Sequence, residues 1–238
     1  MSSPEVTAII PVFNDRLSLE RALPLSIETL SRITPQFEIL VAEDGSSDGS
    51  DELVKEFSKK DPRVRLLHSD TRLGRGRALN RAISAAAGDI VCYYDVDLAT
   101  DMQHVEELVS AIRNGADIAT GSRLLPASDI VRTGGREIAS RGYNFLVRLL
   151  LGSQIFDHQC GFKGFRRDRV LVLLPLIRSD HWFWDTEILV RAQHMGYQVA
   201  EFPVHWRAGN GTTVKAKDVF SMGSSILRLW WQIHVSKD

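Results

Sequence analysis

The chain has only two cysteines in 238 residues, Cys92 and Cys160. Neither belongs to a CxxC pair or to a Cys/His cluster of metal-ligand spacing. That excludes a zinc-finger type of site and a disulfide framework, and it fits a reduced, intracellular setting. Long apolar runs are missing too. VLVLLPLI at 170–177 and LVRLLLG at 146–152 fall well short of the ~18–20 residues that span a bilayer. The opening MSSPEV lacks the charged-then-apolar pattern of a signal segment. The expectation is a soluble, cytoplasmic protein, at most peripheral at the cytoplasmic face of a membrane. The net charge is −1, so no global field draws the chain to nucleic acid. No repeat and no low-complexity linker interrupts it.

What is present is ordinary for a globular protein: 44% hydrophobic and 25% charged residues. The charge is unevenly placed. Residues 1–120 carry 13 basic and 20 acidic residues, and residues 121–238 carry 16 and 10. An acidic half facing a basic half suits a metal on one side and an anion on the other, and it equally suits solvated surface.

Apolar runs alternate with helical periodicity. VTAIIPV (6–12), FEILVA, VRLLHS and DIVCYYD read as strands, each followed by a helix-spaced segment, and ADIATGSR reads as a fifth strand. This βα repetition predicts a mainly parallel sheet covered by helices. Pro24 is expected to disturb the first helix. Beyond residue 121 the alternation stops. PASDIVRTGGRE reads as a loop, SRGYNFLVRLLLG as an apolar helix, GFKGF as a short strand, 183–195 as a helix, YQVAEFPV (197–204) as a strand, and 218–234 as a C-terminal helix. One α/β domain with a C-terminal extension is expected, with 1–120 as its first half and 121–238 as its second.

Two acidic loops stand at strand ends. AEDGSSDGS (42–50) follows the second strand, and Asp95-Val96-Asp97 follows the fourth. Ligands of open α/β sheets bind outside the carboxyl ends of strands. Two carboxylates two residues apart can share one divalent cation, and Mg²⁺ takes few carboxylates together with substrate phosphates. A tight turn explains the first loop as well, and a helix cap at Thr100 or Asp101 explains part of the second. The haloacid-dehalogenase phosphatases also place DxD at a strand end. Their following Thr or Val is Ala99 here, and their motif belongs on the first strand rather than the fourth.

TAIIPVFND, EDGSSDGS and DVD together resemble the inverting family 2 glycosyltransferases of the GT-A fold. GSR (121–123), REIASRGYN (136–144), DHQCGFK (157–163) and WDTE (184–187) are similar to polyprenol-phosphate sugar synthases, with DHQCGFKGF nearest the dolichyl-phosphate β-glucosyltransferases and GSR and RxxxSRG shared with mannose-phosphate-dolichol synthases. The resemblance covers nearly the whole chain. It departs at Ala99, where some relatives have Gln, and at Gly211-Thr212-Thr213, which lacks the Lys of a GSK motif; Lys215 follows two positions on.

The resemblance implies a nucleoside-diphosphate sugar as donor, with UDP-glucose favoured and GDP-mannose possible, a polyprenyl phosphate as acceptor, and Mg²⁺ or Mn²⁺ on Asp95 and Asp97. Asp44 would accept the base N–H, Pro11 and Phe13 would line base and ribose, and Asp15 would reach the ribose. Arg75 and Arg77 would lie near the diphosphate. Arg123, Arg136 and Ser140 would hold the acceptor phosphate. Asp185 would orient the sugar or support the site, and Asp157 would be a helix-end partner or a sugar contact. Transfer to a soluble or other lipid acceptor, and a non-catalytic sugar-nucleotide-binding module, are the alternatives. The apolar helix with Trp230 and Trp231 reads as core packing or as an interfacial helix, which suggests a peripheral membrane contact or a membrane-protein partner.

Overall fold

The structure, a computed structural model, describes residues 3–131, 134–207 and 216–235, with the side chains of 134–138 and 216–221 outside the description. Strands β1 (Val6–Val12), β2 (Phe37–Glu43), β3 (Val64–Leu67) and β4 (Ile90–Tyr94) alternate with helices α1 (Arg16–Ile33), α2 (Ser50–Lys60), α3 (Arg75–Ala85) and α4 (His104–Arg113). Then follow β5 (Ile118–Ser122), β6 (Asp129–Val131), α5 (Gly134–Leu151), β7 (Phe162–Arg166), α6 (Arg167–Leu173), α7 (Trp184–His194), β8 (Val199–Pro203), β9 (His205–Arg207) and α8 (Ala216–His234).

Seven strands form one sheet in the order β3-β2-β1-β4-β7-β5-β8, and β6 pairs with β9 in a separate parallel ribbon. All pairs of the large sheet are parallel except those of β7, which runs antiparallel between β4 and β5. Both halves of the chain contribute to this sheet. β2 is buried along its whole length and β1 nearly so, as continuous apolar runs must be when helices cover both faces. Val6, Ala8, Ile10 and Val12 enter the core shared with α1, α2 and α4, while Ile9 enters the core shared with α3, α6 and α7. A third cluster joins Val147 and Leu151 of α5, Phe183 and Val190, and Met222, Ile226 and Leu229 of α8.

Three expectations change. Helix α1 runs unbroken through Pro24. Pro24 and Glu20 are both exposed, so the carbonyl that loses its partner faces water. Gly134 to Glu137, read as loop, form the first turn of α5, where the tertiary contacts of the helix beyond override glycine's poor propensity. Within the same expected loop, Asp129–Val131 extends to pair with β9.

Candidate active site

The carboxyl ends of β1, β2 and β4 open into one cleft of about 550 Å³. It is lined by Pro11, Phe13, Asp15, Asp44, Asp95 and Asp97, by the 72–75 segment ahead of α3, and by His181 and Trp182 ahead of α7. The parallel register makes this convergence: Val12 pairs with Glu43, so the chain leaves both strands at one level.

The AEDGSSDGS loop is laced to the β1 exit. Asn14, at φ 50°, accepts the Ser47 N–H at 2.8 Å, and its own N–H donates to Ser46. Asp48 accepts the Arg16 N–H at 2.8 Å. Glu43 is buried and accepts the Ser46 N–H and a contact from His68 Nδ1 at 2.5 Å. Gly45 has φ 75°, and a Cβ there would lie 2.8 Å from the Arg72 backbone nitrogen. Only glycine permits that backbone approach.

Asp44 is buried, and its carboxylate accepts the Leu73 N–H at 2.7 Å and the Gly74 N–H at 2.9 Å. It therefore anchors the 72–75 segment over the cleft. Arg72 stacks on the Phe13 ring at 3.9 Å, a cation–π contact. Asp15 caps α1 through the Ser18 N–H at 3.3 Å while its residue lines the cleft.

Arg75 reaches inward. Its Nη2 donates to Asp95 Oδ1 at 2.8 Å and its Nη1 to Asp185 Oδ2 at 2.5 Å. Asp185, only 3% exposed, also takes the Tyr93 hydroxyl and the Lys163 ammonium, the latter at 3.1 Å. Lys163 is fully buried and donates to the carbonyls of Cys160 and His158 at 2.6 and 3.2 Å. Burial pushes Lys163 down to about 7. Burial pushes Asp185 up to about 6, against the pull of Arg75. Asp185 thus lies beneath Arg75, outside the residues that line the cleft. Arg77 stands apart in an exposed pair with Asp180 at 2.7 Å.

Asp95 and Asp97 are both at the cleft, and they suit a hard divalent cation. A Cβ at residue 161 would fall 1.9 Å from Asp95 Oδ2, so the Gly161 backbone is what gives that carboxylate room. Among the described residues no group of three or more His, Cys, Asp or Glu gathers as a metal cage. Two carboxylates with ligand oxygens completing the shell is the arrangement the donor set fits. Although Asp97 reaches solvent, partial burial first, and then the negative charge of the neighbouring Asp95, raise its carboxyl above the ordinary value; a cation between the two would offset the second of these.

Arg123 is placed differently from Arg75. Its N–H, Nε and Nη2 all donate to Asp157, at 2.9, 2.7 and 2.9 Å, and Asp157 is fully buried. Burial opposes ionisation of Asp157, but Arg123 overrides it and holds the carboxyl well below the usual range. Arg123 also faces the Trp206 ring at 5.6 Å. Ser140 is half-buried on α5. The Arg136 side chain, Gly211 to Thr213 and Lys215 lie outside the described residues.

Sequence reasoning missed Arg72, His181, Trp182, Tyr93 and Lys163. The one visible signal was Lys163 itself, a lone cation within the apolar GFKGF strand, where an ammonium must find buried acceptors.

Comparison with known proteins places this geometry. Glucosyl-3-phosphoglycerate synthase from Mycobacterium tuberculosis, solved in complex with UDP, aligns over 99% of this chain and 82% of its own with a TM-score of 0.68 at 18% identity; the fold is therefore GT-A-like. The chain is 48% identical to glycosyltransferase AglD of Haloferax volcanii over 97% of its length, while spanning only 38% of that relative. It is 32% identical to the dolichyl-phosphate beta-glucosyltransferase of Dictyostelium discoideum, over 94% of this chain and 73% of that one. It is 30% identical to the polyprenol monophosphomannose synthase of Mycolicibacterium smegmatis, over 82% and 75%. Residues 7–171 match the model of Glycosyl transferase family 2, and the chain belongs to that family.

Proposed function

We propose that this chain transfers a hexose from a nucleoside-diphosphate sugar to a polyprenyl phosphate, inverting the anomeric carbon, with Mg²⁺ or Mn²⁺ on Asp95 and Asp97. UDP-glucose is the favoured donor. The observation that carries the reading is the single cleft that gathers Phe13, Asp15, Asp44, Asp95 and Asp97 from three strand ends and Arg75 from the start of α3. The names of the relatives, a glucosyltransferase and a mannose synthase acting on dolichyl and polyprenol phosphates, support the acceptor class.

When bound, the cation supplies a Lewis acid that neutralises the charge growing on the departing diphosphate. The chain's own residues do the rest. Phe13 and Pro11 offer the base and ribose an apolar wall, and Asp15 offers the ribose an acceptor. Asp44 holds the segment that closes over the cleft and presents its remaining lone pairs to a base N–H. A phosphate monoester has a second pKa near ~6 and is already an anion at neutral pH, so it needs cations rather than a general base. The placement of Asp185 agrees: its oxygens serve Tyr93, Arg75 and Lys163. Arg136, Ser140 and the Nη1 end of Arg123 are the groups assigned to the acceptor phosphate.

Asp44→Asn tests the donor half. The amide presents an N–H₂ where the base N–H needs an acceptor, and a partner left unsatisfied in the complex costs ~1–3 kcal/mol. Calorimetry with UDP and GDP, each with Mn²⁺, should show affinity falling by that amount. Undiminished affinity for both would place the base elsewhere.

A polyprenyl acceptor resides in a bilayer, and among the described residues no helix is long and apolar enough to cross one. Helix α8 packs Met222, Ile226 and Leu229 inward and leaves Leu227 and Trp231 outward, 62% and 59% exposed. This outer face is the surface assigned to peripheral contact, because Trp favours the membrane boundary. Co-sedimentation with liposomes carrying polyprenyl phosphate should drop when Trp230 and Trp231 become Ser. Equal recovery of both proteins with the liposomes would remove the assignment.

A further inference from the structure

Among the described residues Arg75 is the one cation bound to the carboxylate pair at the cleft, and of the two it touches Asp95. Its side chain is 14% exposed, and its guanidinium bridges Asp95 and Asp185 and lies against the rings of Tyr93 and Trp182 at 5.3 and 5.6 Å. Asp97 is not part of this bridge: among the described residues its carboxylate takes the Ala99 N–H at 3.1 Å. The 72–75 segment that carries Arg75 is itself fastened by Asp44 and by the Gly76 N–H on the Asp180 carbonyl at 2.8 Å. The guanidinium therefore starts from a fixed base beside Asp95.

A divalent cation shared by Asp95 and Asp97 would face this guanidinium across one carboxylate. Like charges at such separation repel, and the more so where water is partly excluded. A nucleoside diphosphate removes the conflict, because it brings oxygens that suit both the metal and a planar guanidinium.

Building on the function proposed above, we infer that Arg75 is a built-in counter-ion that competes with the divalent cation for Asp95, and that arrival of the nucleoside diphosphate moves its Nη2 from Asp95 to the diphosphate. Metal and donor binding are thereby coupled: the apo protein holds the metal weakly, and the donor tightens it. By reciprocity the metal tightens the donor by the same factor.

The test is Mn²⁺ binding followed by electron paramagnetic resonance, without any turnover, on wild type and Arg75→Gln, each with and without UDP or GDP. Arg75→Gln removes a charge-assisted contact, so nucleotide-free Mn²⁺ affinity should rise about ten- to hundredfold. The strong enhancement of Mn²⁺ binding by nucleotide in wild type should shrink in the variant. Unchanged or weaker Mn²⁺ binding by folded Arg75→Gln overturns the counter-ion and leaves the metal-dependent donor site standing. Absence of Mn²⁺ binding by wild type with either nucleotide overturns both. Should Arg75→Gln fail to fold, a crystal structure of the wild type with Mn²⁺ and UDP decides. Separation of Arg75 from Asp95 supports the exchange, and a retained contact at the distance seen here refutes it.

Discussion

Asp97→Ala should eliminate detectable sugar transfer while leaving the melting temperature unchanged. The two halves of that result have separate causes. Lewis-acid stabilisation of a leaving group is worth several kcal/mol, and each 1.36 kcal/mol is tenfold in rate, so a loss of about 10³-fold or more is expected from a missing metal ligand. The fold should not notice, because the Asp97 carboxylate takes only the Ala99 N–H among the described residues. Asp95→Ala should lose activity nearly as fully and lose some stability as well, since it strips Arg75 of one of its two partners. Excess chelator should silence the wild type, and added Mg²⁺ or Mn²⁺ should restore it. Full turnover in chelator, or a melting temperature for Asp97→Ala well below that of wild type, would contradict this account of the pair.

The second large effect is on stability. Asp157→Ala leaves the Arg123 guanidinium with no carboxylate partner among the described residues, in a place where its side chain is 15% exposed. Breaking one side of a buried ion pair costs ~3–5 kcal/mol, a large share of the ~5–15 kcal/mol that holds a typical domain together. Urea unfolding should show the midpoint fall with little change in slope. The double variant Arg123→Met with Asp157→Leu should regain much of the loss, because well-packed apolar replacements of such pairs are often neutral or stabilising. That double variant then separates the two roles of Arg123. If it is stable yet raises the acceptor KM with donor affinity intact, Arg123 serves the acceptor as well as the fold. A midpoint for Asp157→Ala equal to wild type would show that the pair contributes nothing.

These two aspartates also mark how far the sequence could be read. The position of Asp95 and Asp97 at the cleft was legible because it is local: two carboxylates just past a buried strand, in a chain whose βα rhythm places strand ends together. The strands were legible for the same reason, being continuous apolar runs. Asp157 was not legible as the partner of Arg123, since nothing in DHQCGFK says which cation folds back onto it. Asp44 could be read as a ligand-facing acid, yet its hold on the backbone of Leu73 and Gly74 is a pairing across a whole helix and strand. Asp185 carried two readings, and its burial under Arg75 depends on β7 entering antiparallel between β4 and β5. That insertion carries Lys163 to Asp185, and a five-residue strand with a lysine as its second residue gives no periodicity from which to foresee it. Pro24 shows the opposite error: a rule correct for a buried helix interior fails where the orphaned carbonyl faces solvent.

The central claim is that the anion completing the reaction is a polyprenyl phosphate. The most direct measurement supplies UDP-glucose or GDP-mannose, labelled in the sugar, with Mg²⁺ or Mn²⁺ and one of two short-chain acceptors, a polyprenyl phosphate or the corresponding polyprenol. The account predicts label in the organic phase with the phosphate alone, as a phosphodiester of inverted anomeric configuration, with UDP-glucose the better donor. Label carried equally by the free alcohol, or no label with any donor and acceptor while the nucleotide still binds, would contradict it.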